Sequence, residues 1–244
     1  MNETIALVTG ANRGIGRQIA AQLADRGCTV LAGVRTPSAD YEPPVGRIHQ
    51  LRLDVTDPAD RDAAAAWIAE RFGRLDVLVN NAGISGPRDG QLPSATDPAV
   101  LREVFETNVV AVLAVTNALL PLLRRSPAAR IVNVSSGLGS LTCLSDRASA
   151  AGGRPPFAAY APSKTALNAL TVQYAKELQA DGILVNAVAP GACATDFVQG
   201  FGFADTITRT AAEGAAVAVR LATLPPEVDG PTGGFFDDDG PVPW

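Results

Sequence analysis

The chain predicts a single α/β domain built on a doubly wound parallel sheet with helices on both faces. Two observations carry this expectation. Short β-branched runs alternate along the 244 residues with longer patterns of helical period. A glycine loop, Thr9-Gly10-Ala11-Asn12-Arg13-Gly14-Ile15-Gly16, joins the first such run to the first such helix. The length suits one large domain or two small ones, and neither a linker nor an internal repeat divides it, so residues 1–244 are taken as one domain.

In order, residues 5–8 read as a strand and 15–26 as a helix, with Ile15, Ile19 and Leu23 on one face and Gly27 as its stop. Residues 28–34 and 47–53 read as the second and third strands. Residues 58–72 are alanine-rich and helical, with Pro58 suited to the first turn. Residues 75–79 form the fourth strand. A long helix covers 97–123, with an interruption or bend expected near Pro121. Residues 130–134 form the fifth strand, 162–179 a helix, 182–188 the sixth strand, 205–224 a helix and 233–236 a last short strand. Strands and helices of these lengths in alternation mean right-handed βαβ units. Pro155-Pro156, Pro225-Pro226 and the segment 241–244 punctuate loops, and Asp237-Asp238-Asp239 reads as a solvated turn.

Composition narrows the function. Hydrophobic residues make up 47% of the chain, enough for a substantial core. A net charge of −5 with no basic block argues against nucleic acid or an anionic membrane surface as partner. Cys28, Cys143 and Cys193 are odd in number and widely spaced, as reduced thiols are. His49 is the lone histidine, which argues against a histidine triad or a multi-histidine metal site, and its plainest reading is a polar residue on a strand. No metal site is expected. The first apolar run begins at Thr4 and no run of about 18 uninterrupted apolar residues follows, so neither a signal peptide nor a membrane span is expected and the cytoplasm is the default location.

The glycine loop and one residue pair carry the chemistry. Glycines between strand and helix let backbone N–H groups approach a pyrophosphate at the positive end of the helix. The spacing is Gly-x-x-x-Gly-x-Gly, and a plain structural turn is the alternative. Tyr160 and Lys164 stand four positions apart, able to share one helix face, in a chain with only two lysines. Pro162 between them must occupy the first turn, which puts Tyr160 at the start of the helix. A free tyrosine titrates near 10, and a neighbouring ammonium favours the phenolate and lowers that value. Phosphate cradle and proton donor together point to a nicotinamide-dependent oxidoreductase.

Five segments in order resemble the classical short-chain dehydrogenase/reductase family: residues 9–16; Asn80-Asn81-Ala82-Gly83; Asn108; Ser136 with Tyr160 and Lys164; and Pro190-Gly191 with Thr195. The segment 230–236 and the Pro243-Trp244 pair resemble its carbonyl-reductase branch. The resemblance implies a seven-stranded Rossmann-type sheet. It implies that Gly10, Asn12, Arg13, Gly14, Ile15 and Gly16 cradle the pyrophosphate and adenosine ribose. Asp54 and Val55 would face the adenine, Asn81, Ala82 and Gly83 would flank the adenosine half, and Pro190, Gly191 and Thr195 would meet the nicotinamide. Tyr160 and Lys164 would touch the cofactor as well. It makes Tyr160 the acid, Ser136 (Ser135 being the weaker candidate) the group that polarises the substrate carbonyl, and Lys164 a ribose ligand that tunes Tyr160. Asn108 would hold a water in a proton relay. Each has a plainer alternative: a strand-end turn or hydroxyl, a buried amide, a core tyrosine.

The coenzyme is decided after the second strand. The chain has Gly33-Val34-Arg35-Thr36 there and no carboxylate until Asp40. The planar fork of Arg35 suits a 2′-phosphate, with Arg13 as a second cation, so NADP(H) is expected over NAD. Two segments depart from the compact pattern. Ser136 and Tyr160 lie 24 positions apart, and the excess falls within 141–156 as a loop-like insertion by the active site. By resemblance it can obstruct a subunit interface, which favours a monomer or homodimer over a tetramer. Phe197, Phe201 and Phe203, interleaved with Gly200 and Gly202, read as an apolar lid within 194–214 or as a loop returning to the core. The expected activity is NADPH-dependent reduction of an apolar ketone or aldehyde. One alternative is a 3-oxoacyl-carrier-protein reductase, with Arg124, Arg125 and Arg130 as a docking patch. Another is a sensor that binds the dinucleotide without turnover.

Overall fold

The structure is a computed structural model describing residues 3–38, 47–87, 91–199, 201, 204–225 and 230–244. Asp40, Gly200, Gly202, Phe203 and Pro226 lie outside the described residues. The elements run β1 (Ile5–Thr9), α1 (Gly14–Asp25), β2 (Thr29–Val34), β3 (Ile48–Arg52), α2 (Pro58–Phe72), β4 (Val77–Asn80), α3 (Pro98–Phe105), α4 (Ala111–Leu123), β5 (Arg130–Val134), α5 (Leu141–Ser145), α6 (Tyr160–Glu177), β6 (Leu184–Val188), α7 (Ala211–Ala222) and β7 (Phe235–Phe236). The seven strands form one parallel sheet in the order β3-β2-β1-β4-β5-β6-β7.

Strands β1, β2, β4 and β5 are buried at every position, because helices cover both faces of the sheet. Alternation along β1 divides the core. Ile5 and Leu7 pack with Ile68, Val115, Leu119, Leu123 and Leu178 from α2, α4 and the end of α6. Ala6 and Val8 point the other way, into Ile19, Leu23, Val217 and Leu221 of α1 and α7. His49 is exposed on the edge strand β3, as its plain reading predicts.

Three expectations need correction. The long helix is interrupted at Glu106–Val110, a π-helical turn, while α4 runs through Pro121 to Leu123. Pro121 deletes one N–H close to the end of α4, where the helix has only two residues left to lose. The last long helix begins at Ala211, because Thr210 and Glu213 form a reciprocal capping box there; residues 204–206 make a separate 3-10 turn. The insertion is partly helical: the Ser140 side chain accepts from the Cys143 N–H and starts α5. The stretch Pro98–Leu123 is long and apolar enough to cross a membrane by length and composition. In the fold it is a sheet-covering helix, with Ala111, Val115, Leu119, Leu122 and Leu123 in the core.

Candidate active site

The chain leaves β1 toward α1 on one face and β4 toward α3 on the other, so a crevice opens between the C-terminal ends of these neighbouring strands. It continues past β5 and β6 as a cleft of about 1080 Å³. Every residue expected to hold the dinucleotide lines it: Gly10, Asn12, Arg13, Gly14, Ile15, Gly16, Arg35, Asp54, Val55, Asn81, Ala82, Gly83, Tyr160, Lys164, Pro190, Gly191 and Thr195.

The glycine loop fits a pyrophosphate. Gly10 has φ +64°, and a Cβ there would meet the Ala82 Cα at 3.0 Å. A Cβ on Gly16 would lie 2.3 Å from the Asn81 Nδ2 and 2.5 Å from the Gly10 carbonyl oxygen. Asn81 is fixed there by donating to the Thr9 and Gly10 carbonyls, at 2.9 and 3.2 Å. Helices α2, α3 and α7 are capped by the side chains of Asp57, Asp97 and Thr210, whereas α1 starts at Arg13 with no side-chain cap and no acid in its first turn. Its leading N–H groups therefore face the cleft ready for an anion.

The catalytic candidates converge beyond β5. Ser136 follows the strand and lines the cleft with Tyr160, close enough for its hydroxyl to favour the phenolate. Ser135 turns inward and donates to Asn168 Oδ1 at 2.6 Å, which leaves Ser136 facing the cleft. Tyr160 is the first residue of α6, and Lys164 one turn on donates to the Val134 carbonyl at 2.9 Å. The Lys164 ammonium lies 5.7 Å from the Tyr160 ring centroid. Asn108 does not line the cleft; it is fully buried on the π turn behind it. Its Nδ2 donates to the Ile84 carbonyl (2.9 Å) and Ser163 Oγ (3.0 Å), and its Oδ1 accepts from the Ile84 N–H (2.9 Å). One lone pair of Oδ1 remains. A Cβ on Gly83 would meet both Asn108 Oδ1 and Lys164 Nζ, at 3.1 and 3.5 Å, so the glycine leaves the space between them open.

Burial dominates the electrostatics. It pushes Tyr160 up to about 12 against a smaller lowering by the Ser136 hydroxyl, and pulls Lys164 down to about 8. Desolvation outweighs any lowering of Tyr160 by the neighbouring ammonium. The lysine sits beside the ring and bonds a carbonyl, and desolvation penalises both charged forms.

On the adenosine side, Arg35 is exposed at the end of β2. Arg13 reaches across the cleft to Asp196, with Nη1 donating to Oδ2 at 2.8 Å. The two described phenylalanines of the 194–214 segment behave differently. Phe197 is part-exposed over Tyr160 with ring centroids 5.7 Å apart, whereas Phe201 is buried edge-on against Phe157 at 5.6 Å. Phe157, Cys143 and Val242 also line the cleft, and sequence reasoning did not name them as site residues. Asp238, read as part of a solvated turn, pairs with Arg209. Arg209 in turn donates to the Pro190 carbonyl at 2.8 Å, which braces the Pro190-Gly191 turn.

Comparison with known proteins agrees with this geometry. The short chain dehydrogenase family profile matches residues 4–206. The chain belongs to that family. It is 37% identical over 238 residues to the short-chain dehydrogenase anuI of Penicillium roqueforti, covering 91% of this chain and 90% of that protein. It is 36% identical over 200 residues to the 3-oxoacyl-[acyl-carrier-protein] reductase FabG of Escherichia coli, covering 80% and 75%. The NADPH-bound carbonyl reductase from chicken fatty liver superposes over the whole of both chains with a TM-score of 0.82 and 29% identity. The protein is thus a short-chain oxidoreductase with a Rossmann-type sheet, similar to the carbonyl-reductase branch.

Proposed function

We propose that the protein reduces an apolar, ring-bearing ketone or aldehyde with NADPH. The observation that carries this reading is the meeting of Ser136, Tyr160 and Lys164 at one end of the cleft whose other end holds the glycine loop and Arg35. Bound NADPH supplies the hydride for the carbonyl carbon. Ser136 donates to the carbonyl oxygen as charge develops there. Tyr160, neutral because burial holds its proton, passes that proton to the same oxygen. Lys164 anchors the cofactor ribose and lends positive charge beside the phenolate. Asn108 holds the resupplying water on its remaining lone pair, in the gap beside Gly83. The glycine loop cradles the pyrophosphate, Asp54 and Val55 flank the adenine, and Arg35 with Arg13 takes the 2′-phosphate.

Phe157, Phe197 and Phe201, which line the cleft with Tyr160, favour a ring over a flexible thioester arm. The arginines considered for carrier docking weaken that alternative further. Arg124 pairs with Asp181 and Arg125 donates to the Gly73 carbonyl. Arg130 is buried at the first residue of β5, at the opposite end of the strand from Ser136. A non-catalytic sensor would have no use for a proton donor paired with Ser136. The segment near 194–214 acts as substrate lid and 141–156 as active-site insertion within one domain spanning 1–244. A monomer or homodimer in the cytoplasm completes the proposal. An NADPH-oxidation screen over cyclic and aryl ketones, quinones, aldehydes and acyl thioesters tests it. Turnover confined to the thioesters, or none at all, would overturn it.

A further inference from the structure

The catalytic helix α6 begins without a cap of its own. Its N-cap residue is Ala159, which has no side-chain acceptor and is among the poorest residues for that position. The missing acceptor comes from a buried residue behind the cleft wall at Ser85. Gln91, 1% exposed, accepts through Oε1 from the N–H groups of Ala159 (3.0 Å) and Tyr160 (3.2 Å). Its Nε2 donates to the carbonyls of Ser85 (2.6 Å) and Pro87 (3.1 Å). Both donors and both lone pairs of one buried amide are thereby used. The main chain adds a second tie, the Gln91 carbonyl accepting from the Ala158 N–H at 3.0 Å within a parallel bridge to Phe157. Gly86 makes the fit possible: a Cβ there would stand 3.2 Å from Nε2, on backbone with φ +76°.

We infer that Gln91 is a positioning residue for the reaction, a tertiary helix cap that fixes Tyr160 against the Ser85–Pro87 segment, whose Ser85 lines the substrate cleft. The inference rests on Tyr160 being the proton donor proposed above. Ser85 lines the same cleft, so one side chain sets the separation between the donor and the opposite wall. Asn108 makes a parallel tie one turn deeper, from Ile84 through Ser163 Oγ to the Tyr160 carbonyl. Losing the upper tie lets the first turn of α6 shift while the lower one holds the helix in place. The cost then falls on the proton transfer and leaves the glycine loop untouched.

Two substitutions separate positioning from packing. Gln91→Glu keeps the acceptor that holds Ala159 and Tyr160 but loses the donors to Ser85 and Pro87. Gln91→Met keeps the length and apolar bulk but loses the acceptor. A buried carboxylate facing two carbonyls is the less stable choice, so packing alone ranks methionine above glutamate in both melting temperature and kcat. Positioning reverses the kcat order. Gln91→Met should lose about a hundredfold in kcat and Gln91→Glu about tenfold or less, the scale of an ångström-sized misplacement. Turnover is counted per NADPH-binding site by fluorescence titration, and NADPH affinity should change less than about twofold in both. Backbone hydrogen exchange at Ala159 and Tyr160 should accelerate in Gln91→Met while Ser163 and Lys164 keep their protection. Methionine equal to or above glutamate in kcat, a parallel loss of NADPH affinity, or unchanged exchange would overturn the inference. Should the glutamate variant not fold, Gln91→Met alone decides: a loss under about tenfold per site refutes positioning. Should no carbonyl be turned over by the unaltered enzyme, the exchange comparison still tests Gln91, and the failure belongs to the proposed activity.

Discussion

Replacing Gly16 by alanine tests whether the glycine loop is a cofactor cradle or a plain turn. The added methyl would stand 2.3 Å from the Asn81 Nδ2 and 2.5 Å from the Gly10 carbonyl oxygen. The amide can swing away, but the carbonyl is backbone at the end of β1 and cannot. Swinging Asn81 gives up its bonds to the Thr9 and Gly10 carbonyls. At about 0.5–1.5 kcal/mol each these contribute about 1–3 kcal/mol, and overpacking adds about 1–3 kcal/mol more. A total of about 2 kcal/mol or more corresponds to about thirtyfold or more in affinity if it falls on the bound loop. The assay is fluorescence titration with NADPH, run beside thermal melts to separate loop distortion from unfolding. Gly137→Ala is the control, since a methyl there meets nothing within 4 Å. If Gly16→Ala binds NADPH within about threefold of the unaltered protein, the cradle reasoning is wrong.

Three further outcomes follow from the site. Tyr160→Phe should lower kcat by about two to four orders of magnitude, the range of general acid catalysis, with NADPH affinity within a few-fold; near-normal turnover removes Tyr160 from the mechanism. Arg35→Asp should invert the coenzyme preference in kcat/KM, because a charge-assisted phosphate contact is worth about 1.5–3 kcal/mol, roughly ten- to a hundredfold, and the double change with Arg13 should go further. Since Lys164 is held at about 8, it is charged below that pH and neutral above it, so kcat/KM should fall as pH rises through about 8 and Lys164→Met should erase the inflection. The folding linkage has the opposite sign: from about 8 to the ordinary 10.5 the unfolded chain binds the proton that the folded one lacks, so the Lys164 contribution to stability rises with pH across that window. A flat kcat/KM profile there refutes the assignment.

What could be read from the sequence is what neighbouring residues dictate. The glycine loop, the strand alternation and the Tyr160–Lys164 spacing are local, and the observed elements match them closely. The misses are tertiary. Gln91 lies 69 positions before Tyr160 in a stretch without periodicity, and nothing near it announces a cap. Asp238 reads as solvated until Arg209, 29 positions away, is folded against it. The π turn at Glu106–Val110 escaped because helical propensity does not distinguish i→i+4 from i→i+5 bonding. The net direction of the Tyr160 shift was illegible for the same kind of reason. Spacing puts an ammonium near a phenol, but only the packed structure shows that both are desolvated and that the ammonium serves a carbonyl.

The Arg13–Asp196 pair bears on how the chain distinguishes its coenzymes. The sequence places Arg13 beside the phosphate, and it is found bonded across the cleft to Asp196 of the 194–214 segment. Both side chains are more than half exposed, at 64% and 53%, so the pair contributes only about 0–1 kcal/mol. A 2′-phosphate offers the same guanidinium a charge-assisted bond worth about 1.5–3 kcal/mol. Surrendering Asp196 is therefore a small cost against what the phosphate returns, and a partial turn of a long, solvated side chain is enough to make the exchange. A dinucleotide without that phosphate gives Arg13 no reason to leave, and the arginine remains a bridge between the glycine loop and Asp196. Discrimination then rests on two cations with different tasks. In the proposed function Arg35, on the bend after β2, would meet the phosphate directly, whereas Arg13 would carry the choice to the 194–214 segment, next to the Phe197 ring that stands over Tyr160.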